Sequence, residues 1–321
     1  MPQIGLTLMS KSLTRPITPA VVKKEFVLAK CKYFVDVHLW HLPSSIDPLR
    51  WLSNFDGAEM DYAVHLLNSF LYFSDRLTNQ MFEEAFHGLS NFVRRPGDSF
   101  LSIQADWRAF IKSVIITPVT GENPSVTDSG FLFARKARQR LGLDESQILS
   151  PKETLDLLLR RGPRPIVFVD DFVGSGNQFI ETWERRVELS NTTMMSFEIY
   201  SSVRGSRFFY CPVLCTQDGY DRLRRECPKV VVNPAHILTP RHSALSADSF
   251  IWPEHLKAGA VDFLERVSAR AGIPDNGGLE DDWRGFHKLG LTLAFEHSVP
   301  DATMPIFYWE RNDWKPLIRR T

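Results

Sequence analysis

Residues 166–180 read IVFVDDFVGSGNQFI, in which four apolar residues precede two adjacent aspartates. Residues 166–169 have the length and β-branched content of a strand that is buried on both faces, which indicates a parallel sheet. Asp170 and Asp171 then stand at the carboxyl end of this strand, where open α/β sheets bind their ligands. The stretch therefore predicts a ligand site at this edge of a parallel sheet.

A glycine-serine-glycine turn follows the two acids. Gly174 and Gly176 permit the dihedral angles of a tight loop and let backbone N–H groups approach an anion closely. A helix is predicted to begin near Asn177, and its first amides would add donors to the same anion. Acids followed by such a loop predict a site for a sugar that carries a phosphate.

Three other glycine-containing motifs do not fit this stretch. A dinucleotide fingerprint would need a third glycine where Phe179 stands, and a Walker loop would need a lysine that is absent here. A nucleophile elbow needs glycines two residues on either side of Ser175, but Val173 and Asn177 occupy those positions.

The segment resembles the phosphoribosyl-pyrophosphate (PRPP) motif of type I phosphoribosyltransferases, which has apolar residues, two acids, three variable positions, a small hydroxyl residue and a glycine. The resemblance implies that Asp170 and Asp171 contact the ribose hydroxyls as the catalytic residues. It also implies a Mg²⁺ ion that the ligand carries rather than a metal site built by the protein, with the same two acids as candidate contacts. The residues that would wrap the 5′-phosphate are Phe172, Val173, Gly174, Ser175, Gly176, Asn177 and Gln178.

Two loop positions depart from the family pattern. Gly174 and Gln178 stand where family loops carry threonine or serine, so two hydroxyl donors to phosphate are missing. A hydrogen bond to a charged group contributes about 1.5–3 kcal/mol, so ligand binding is expected to survive more readily than turnover. The structural alternative is a doubly wound fold whose strand ends in two acids, with Ser175 as a helix cap. Adjacent acids are costly at a strand end unless a ligand, metal or helix dipole offsets them.

Composition excludes several classes of protein. The chain has 321 residues, of which 38 are basic and 38 acidic, so no overall field attracts nucleic acid or membrane. Contact with nucleic acid would have to come from a local basic patch, such as the one near the end of the chain. No run of eighteen apolar residues and no signal peptide is found, so we expect a cytoplasmic protein without membrane contact. The four cysteines show no metal or disulfide spacing and are expected to be reduced and structural.

Elements around the motif follow from apolar spacing. Helices are predicted near residues 60–71 and 74–89, the second capped by Ser74 and both packed together beside the core. A strand is predicted at 113–117 and a helix at 131–141. The loop between them matches the pyrophosphate-contacting loop of the same transferases at residues 126–130, which adds Asp128, Ser129, Gly130 and Arg135 as candidate pyrophosphate contacts.

After the motif, the pattern predicts a helix at 177–189, a strand at 196–203, a helix at 221–225 and a strand at 230–232. Arg241 and His242 follow the last strand as weaker candidates for pyrophosphate contact, although a solvated loop is the commoner explanation. Residues 26–28 and 33–39 could add a flanking strand. The fold class predicted is α/β, a Rossmann-like parallel sheet of the type I phosphoribosyltransferase kind with an N-terminal helical layer and a C-terminal strand or hairpin extension. We predict that the N-terminal helical region spans residues 1–105, the phosphoribosyltransferase-like core 106–245 and the C-terminal extension 246–321.

The C-terminal tail carries a second resemblance. A strand is expected at 291–296 and a second apolar run at 304–309, which suggests a hairpin clasp pinned by Trp309 and Trp314. The tail resembles that of the phosphoribosyltransferase-like domain of prokaryotic conflict and anti-phage systems, including retron operons. The matching residues are Pro300, Pro305, Trp309, Trp314, Pro316, Leu317 and Arg319 or Arg320.

The resemblances imply an effector or accessory protein of a defence system that binds PRPP or a related phosphoribosyl metabolite. A reverse transcriptase or another product of the same operon would be its partner. Three hypotheses stay open for the site: a pentosyltransferase, a catalytically inactive sensor that gates a partner protein, and a nucleotide hydrolase or glycosidase that uses the same sugar site.

Overall fold

The computed structural model describes residues 22–40, 46–94, 97–121, 128–190 and 192–320. Nine strands run through these ranges: β1 (Leu71–Phe73), β2 (Ile115–Pro118), β3 (Ile166–Val173), β4 (Val187–Glu188), β5 (Met194–Met195), β6 (Phe208–Thr216), β7 (Val230–Val232), β8 (His236–Leu238) and β9 (Leu293–Phe295). The α-helices in the same ranges are α1 (Lys24–Asp36), α2 (Pro48–Leu52), α3 (Glu59–Ser69), α4 (Asp75–His87), α5 (Ser90–Val93), α6 (Phe100–Ser113), α7 (Ser129–Leu141), α8 (Pro151–Arg161), α9 (Asn177–Glu184), α10 (Phe197–Val203), α11 (Gln217–Glu226), α12 (Glu254–Lys257) and α13 (Ala260–Ala271).

A parallel sheet forms the centre of the fold. Strands β2, β3, β6 and β7 lie side by side in that order, and β8 pairs with the far end of β6. All these pairings are parallel, and every residue of β6 is buried. Strands buried on both faces are typical of a sheet that helices cover on each side. The predicted α/β class with a parallel sheet and helical layers is confirmed.

Three apolar cores surround the strands. Val167 and Val169 of β3 pack in a core with helices α4, α6 and α7, whereas Ile166 and Phe168 pack in another with α8 and α9. A third core contains apolar residues of helices α1, α2, α3 and α13 and of the C-terminal tail. The N-terminal helical layer therefore packs largely on the C-terminal extension, and the division boundaries at 105 and 245 stay a prediction.

The prediction of a strand at 196–203 is wrong, because these residues form α10. The hydroxyl of Ser196 accepts a hydrogen bond from the amide of Ile199 and caps this helix. Phe197 and Tyr200 then lie three residues apart and are both buried, which is helical spacing. The strand that pairs with β3 on the side away from β2 is β6, whose nine residues lie further along the chain.

The N-terminal predictions have a mixed outcome. Residues 26–28 and most of 33–39 lie in α1 or just after it rather than in a strand. The two predicted helices are confirmed as α3 and α4, with Ser74 capping α4 through the amide of Leu77. They do not share a core, because β1 separates them and each packs in a different apolar cluster. The helix predicted at 177–189 ends earlier, at Glu184.

The tail is not a hairpin. The predicted strand at 291–296 is confirmed as β9, but its partner is β1, with which it pairs in parallel. Residues 305–307 form a 3₁₀ turn instead of a strand. The indole nitrogens of Trp51 and Trp314 lie 2.8 and 2.9 Å from the carbonyl oxygen of Ile306 and donate hydrogen bonds to it. Hydrogen bonds from these tryptophans, one of which lies in α2, therefore hold the tail in place of the predicted hairpin.

Two smaller expectations can be compared with the described residues. None of their helices combines the length and apolar character that crossing a bilayer requires. All four cysteines are buried and unpaired, as predicted. Burial raises the pKa of Cys31 to about 11, which keeps this thiol protonated and unreactive at neutral pH.

Candidate functional site

The loop after β3 runs directly into α9, as the motif predicts. Gly176 takes a left-handed conformation with φ of +83° immediately before the first residue of the helix. A residue with a Cβ is strained there, which explains the requirement for glycine. The same backbone turn carries the chain from the sheet edge into a helix without an intervening long loop.

Helix α11 holds the back of this loop. The hydroxyl of Thr216 donates to the carbonyl oxygen of Gly174 at 2.6 Å, and Nη1 of Arg222 donates to that of Ser175 at 3.2 Å. Arg222 also contacts the side-chain oxygen of Asn177. Two successive loop carbonyls are therefore engaged by α11 and its cap.

Amide nitrogens of the loop remain available. In the part of the chain that the structure describes, the amides of Ser175, Gly176 and Gln178 donate no hydrogen bond to a protein acceptor. Unpaired amides at a helix start form a site that suits an anion. The predicted phosphate loop thus has the donors that a phosphate needs, although Gly174 and Gln178 add no hydroxyl.

The two acids lie inside the last part of β3 and are almost fully buried, at 2% exposed for Asp170 and 6% for Asp171. Oδ1 of Asp170 accepts hydrogen bonds from the hydroxyl of Ser129 at 2.7 Å and from the amide of Asp171 at 3.0 Å. The hydroxyl of Tyr210 lies 3.3 Å from Oδ2 of Asp170. Asp170 is therefore surrounded by protein donors.

Asp171 contacts the C-terminal extension. Nε2 of His297 lies 2.9 Å from its Oδ2, and the hydroxyl of Ser298 lies 3.2 Å from the same oxygen. These two residues follow β9, whose pairing with β1 places them beside the sheet edge. Residues more than a hundred positions after the motif thus form part of its surroundings.

Burial separates the protonation states of the pair. Desolvation, reinforced by the neighbouring charge of Asp171, raises the pKa of Asp170 well above its usual value. Burial also acts to raise the pKa of Asp171, but hydrogen bonds from His297, Ser129 and Asp170, together with the charge of His297, leave that pKa below the usual value. The two pKa values are therefore driven apart, as expected for two carboxyl groups that share a buried site.

A cleft of about 960 Å³ opens above this pair. Asp171 lines it together with all seven residues of the predicted phosphate loop, whereas Asp170 lies behind. The C-terminal extension supplies the opposite wall, including Phe286, His297 and Arg320. The structure therefore brings one acid and the phosphate loop together around one open cavity.

The second predicted loop is only partly described, since its residues 126–127 lie outside the described residues. Asp128 and Ser129 line the cleft, and Oδ2 of Asp128 accepts a hydrogen bond from the amide of Gly121 at 3.0 Å. Gly130 packs on β2 instead, where a Cβ would lie 2.2 Å from the carbonyl oxygen of Val119. Arg135 is exposed and is not among the residues that line the cleft.

Positive charge around the cleft is largely engaged. Arg320 lines it, but its guanidinium pairs with Asp301 and lies 3.5 Å from Asp281. Arg241 lies over the ring of Phe250 at 3.9 Å, away from the cleft lining. The basic patch predicted near the end of the chain is also engaged. Lys315 donates a hydrogen bond to Ser53, Arg311 lies over the ring of Trp309, and Arg319 pairs with Glu310.

Sequence reasoning missed the residues that surround the acids. His297, Ser298 and Tyr210 contact the pair, and Arg320, which lines the cleft, was predicted only as a residue of the C-terminal tail. A weak signal existed for His297, because it follows a predicted strand and such strand ends carry ligand contacts in α/β folds. Its approach to Asp171 depends on the pairing of β9 with β1, which local sequence does not encode.

Comparison with known proteins was made for the whole chain. A family model described as PRTase-CE matches residues 48–320. None of the curated proteins matches the chain. Among solved structures, the crystal structure of orotate phosphoribosyltransferase from Aeropyrum pernix matches 41% of this chain at 14% identity with a TM-score of 0.25. The match spans 63% of the length of that transferase chain.

Proposed function

The chain belongs to the PRTase-CE family, and from this premise and the geometry of the cleft we propose that it binds PRPP or a related phosphoribosyl metabolite. One observation carries the proposal: unpaired amides of the loop at 174–178 and the ionised carboxylate of Asp171 line the same cavity. The amides would hold the 5′-phosphate, and the carboxylate would accept hydrogen bonds from the ribose. Amide donors for the phosphate and a carboxylate acceptor for the sugar hydroxyls suit the two ends of a phosphoribosyl group.

The raised pKa of Asp170 extends this arrangement, because it favours the neutral form of that acid. Asp170 lies behind the cleft lining, and its Oδ1 accepts a hydrogen bond from the amide of Asp171 at 3.0 Å. One neutral and one charged acid can together donate and accept, whereas two ionised acids would repel each other and a sugar would have to compensate. Orientation of the ribose by this pair is the role we propose for both residues.

A pentosyltransferase would use these contacts for positioning and charge stabilisation. In that reaction the bond between the ribosyl carbon and pyrophosphate breaks, pyrophosphate leaves with the bonding electrons, and an acceptor atom forms the new bond to carbon. The ring oxygen and carbon carry positive charge in the transition state, and Asp171 is the ionised group nearest the proposed sugar position.

A binding module without turnover is the second candidate, and a specific observation favours it. Oδ2 of Asp171 already accepts hydrogen bonds from His297 and Ser298. The described lining also offers few cations for a pyrophosphate, since Arg320 is paired with acidic residues. Either property would suit a sensor that gates a partner protein.

Mg²⁺ is proposed only as an ion that arrives with the ligand. Among the described residues no group of three or more His, Cys, Asp or Glu side chains could hold a metal ion. The side chains present therefore do not fit a metal centre made by the protein, and no step is assigned to the ion. PRPP binding measured with and without Mg²⁺ tests this part of the proposal.

A biological role in bacterial anti-phage defence is proposed from the resemblance of the tail, with a reverse transcriptase or another operon product as the partner. Phage challenge of cells that carry the complete operon, with the wild-type chain or the Asp171→Asn variant, tests this role. Loss of protection with the variant supports it. Equal protection by both chains contradicts a defensive role for this site.

The ligand proposal is tested by calorimetry and by assay of product. PRPP with Mg²⁺ and ribose 5-phosphate are each titrated into wild type, Asp171→Asn and the surface variant Asp218→Asn, and pyrophosphate release is followed in parallel. Binding by wild type and Asp218→Asn but not by Asp171→Asn supports the site, and release distinguishes a transferase from a sensor. Release of free base from a nucleotide would instead indicate the hydrolase alternative. Absence of binding by folded wild type at millimolar ligand contradicts the proposal.

A further inference from the structure

Two residues of the segment that follows β9 are within hydrogen-bond distance of Asp171, the acid that lines the cleft. Nε2 of His297 and the hydroxyl of Ser298 both reach Oδ2 of Asp171, at 2.9 and 3.2 Å. The other ring nitrogen of His297, Nδ1, is buried without a hydrogen-bond partner among the described residues, and the nearest carboxylate oxygen, on Asp75, is 4.0 Å away. The contact with Asp171 is therefore the hydrogen bond that orients the imidazole.

A ribose diol needs two acceptors, and most of the carboxyl oxygens of the acid pair already accept hydrogen bonds from the protein. Oδ1 of Asp170 accepts from Ser129, and Tyr210 lies against Oδ2 of the same acid. His297 and Ser298 take Oδ2 of Asp171. Two neighbouring sugar hydroxyls would present two donors to an acid pair with three of its four oxygens already in use.

The position of the two donors also matches that of a ligand. Both belong to residues that line the cleft, as Asp171 does. The rest of the turn is fixed elsewhere: the amide of Glu296 donates to the carbonyl of Phe73, and the amide of Phe286 donates to that of Asp301. Rotation of the two side chains would free Asp171 without breaking these backbone contacts.

We propose that His297 and Ser298 are internal substitutes for the ribose hydroxyls, so that a phosphoribosyl ligand reaches Oδ2 of Asp171 only by displacing them. This inference rests on the proposed function, since it presupposes that the ribose lies on the acid pair. Displacement of the two side chains would connect binding of the ligand in the cleft to the turn after β9. Strand β9 in turn pairs with β1. The C-terminal extension is then the part of the protein that responds to the ligand.

Affinity measurements test the displacement. Ribose 5-phosphate and 2-deoxyribose 5-phosphate are titrated into wild type, His297→Ala and the control His255→Ala, which alters an exposed histidine outside the cleft lining. Removal of a competing hydrogen bond to a charged group is expected to tighten binding of ribose 5-phosphate about tenfold. The deoxy sugar lacks one hydroxyl and should gain less, and His255→Ala should bind both sugars as wild type does.

A second readout follows His297 itself. Ribose 5-phosphate is expected to shift the imidazole proton resonances of His297 in the wild-type protein, whereas inorganic phosphate, which fills only the loop, should leave them in place. If His297→Ala fails to fold, His297→Gln replaces it. Because glutamine keeps a donor near Asp171, its affinity for ribose 5-phosphate should rise by less than the tenfold expected for alanine.

The outcomes separate this inference from the proposed function. If wild type binds ribose 5-phosphate and His297→Ala binds it equally or more weakly, the inference is overturned while the ligand site stands. A His297 resonance that does not respond to saturating ribose 5-phosphate has the same meaning. If neither wild type nor the folded variants bind ribose 5-phosphate or PRPP, the proposed function fails and this inference fails with it.

Discussion

A Cβ added to Gly219 would lie 2.3 Å from the carbonyl oxygen of Gly174. The backbone of α11 therefore lies directly against the loop that follows β3, with no room for a side chain between them. The cap of this helix, Thr216, bonds to the same carbonyl. Loop and helix form one unit, and the geometry of the proposed phosphate site depends on their contact.

Gly219→Ala is expected to destabilise the protein and to disturb the loop. The obstructing atom is a backbone oxygen, so either the loop or the helix must shift, and such overpacking costs about 1–3 kcal/mol. Urea unfolding measures the stability, and calorimetry with PRPP measures the binding. Gly205→Ala is the control, because nothing lies within 4 Å of its Cβ position, and it should change stability by less than about 0.5 kcal/mol. Equal effects of the two variants would contradict the close packing.

Two buried threonines offer a matched test of the loop anchor. Thr216 donates to the Gly174 carbonyl and accepts from the amide of Gly219, whereas the hydroxyl of Thr117 has no hydrogen-bond partner among the described residues. Thr216→Val leaves a buried donor and acceptor unpaired, which costs about 1–3 kcal/mol. Thr117→Val removes an unsatisfied hydroxyl and should be neutral or stabilising. Chemical denaturation of both variants checks the contrast, and a larger loss for Thr117→Val would contradict it.

The sequence was sufficient for the central elements because their signals are local. Residues 166–180 contain a complete strand, loop and helix start, and helices α3, α4 and α7 show apolar spacing over two or more turns. All seven residues predicted to wrap the 5′-phosphate line the cleft, although Phe172 and Val173 belong to β3, and their contact with a phosphate stays a prediction. Local periodicity and glycine placement determine these features.

Features that depend on distant pairing were not predictable. Residues 197–203 have strand-like composition, yet the cap at Ser196 and tertiary packing make them a helix, because packing overrides propensity in short segments. The parallel pairing of β9 with β1 joins segments separated by more than two hundred residues. Only this pairing brings His297 to Asp171, so no local pattern could have identified the contact.

Gly176 and Gly142 separate the conformational role of a loop glycine from its role in binding. Both have positive φ, of +83° and +66°, but Gly142 ends α7 in open space, whereas Gly176 begins the proposed phosphate cradle. Substitution by alanine at either position destabilises the folded state by about 1 kcal/mol, because a residue with a Cβ is strained in the left-handed conformation. Only Gly176→Ala is expected to lose affinity for inorganic phosphate and PRPP, as measured by calorimetry. Loss of affinity in both variants, or in neither, would contradict an anion site at this loop.

Asp170 should make the stability of the protein depend on pH. Its pKa is raised in the folded state by burial and by the charge of Asp171, so folded chains keep a proton that unfolded chains lose above a pH of about 4. The folded state then binds more protons than the unfolded state, and this contribution to stability declines as the pH rises from about 4 through the raised pKa. The slope from one such group is at most about 1.4 kcal/mol per pH unit.

Asp170→Asn removes that slope, since the amide keeps the shape and neutrality of the protonated acid. We expect the variant to be more stable than wild type at pH 7.5 and nearly equal to it at pH 4, in urea unfolding measured at several pH values. PRPP binding should persist in Asp170→Asn because the amide can donate and accept hydrogen bonds as the neutral acid does, whereas Asp171→Asn should lose it. Parallel stability profiles for wild type and Asp170→Asn would mean that Asp170 is ionised in the folded protein. The acid pair would then carry two charges, and the sugar would meet two acceptors instead of one acceptor and one donor.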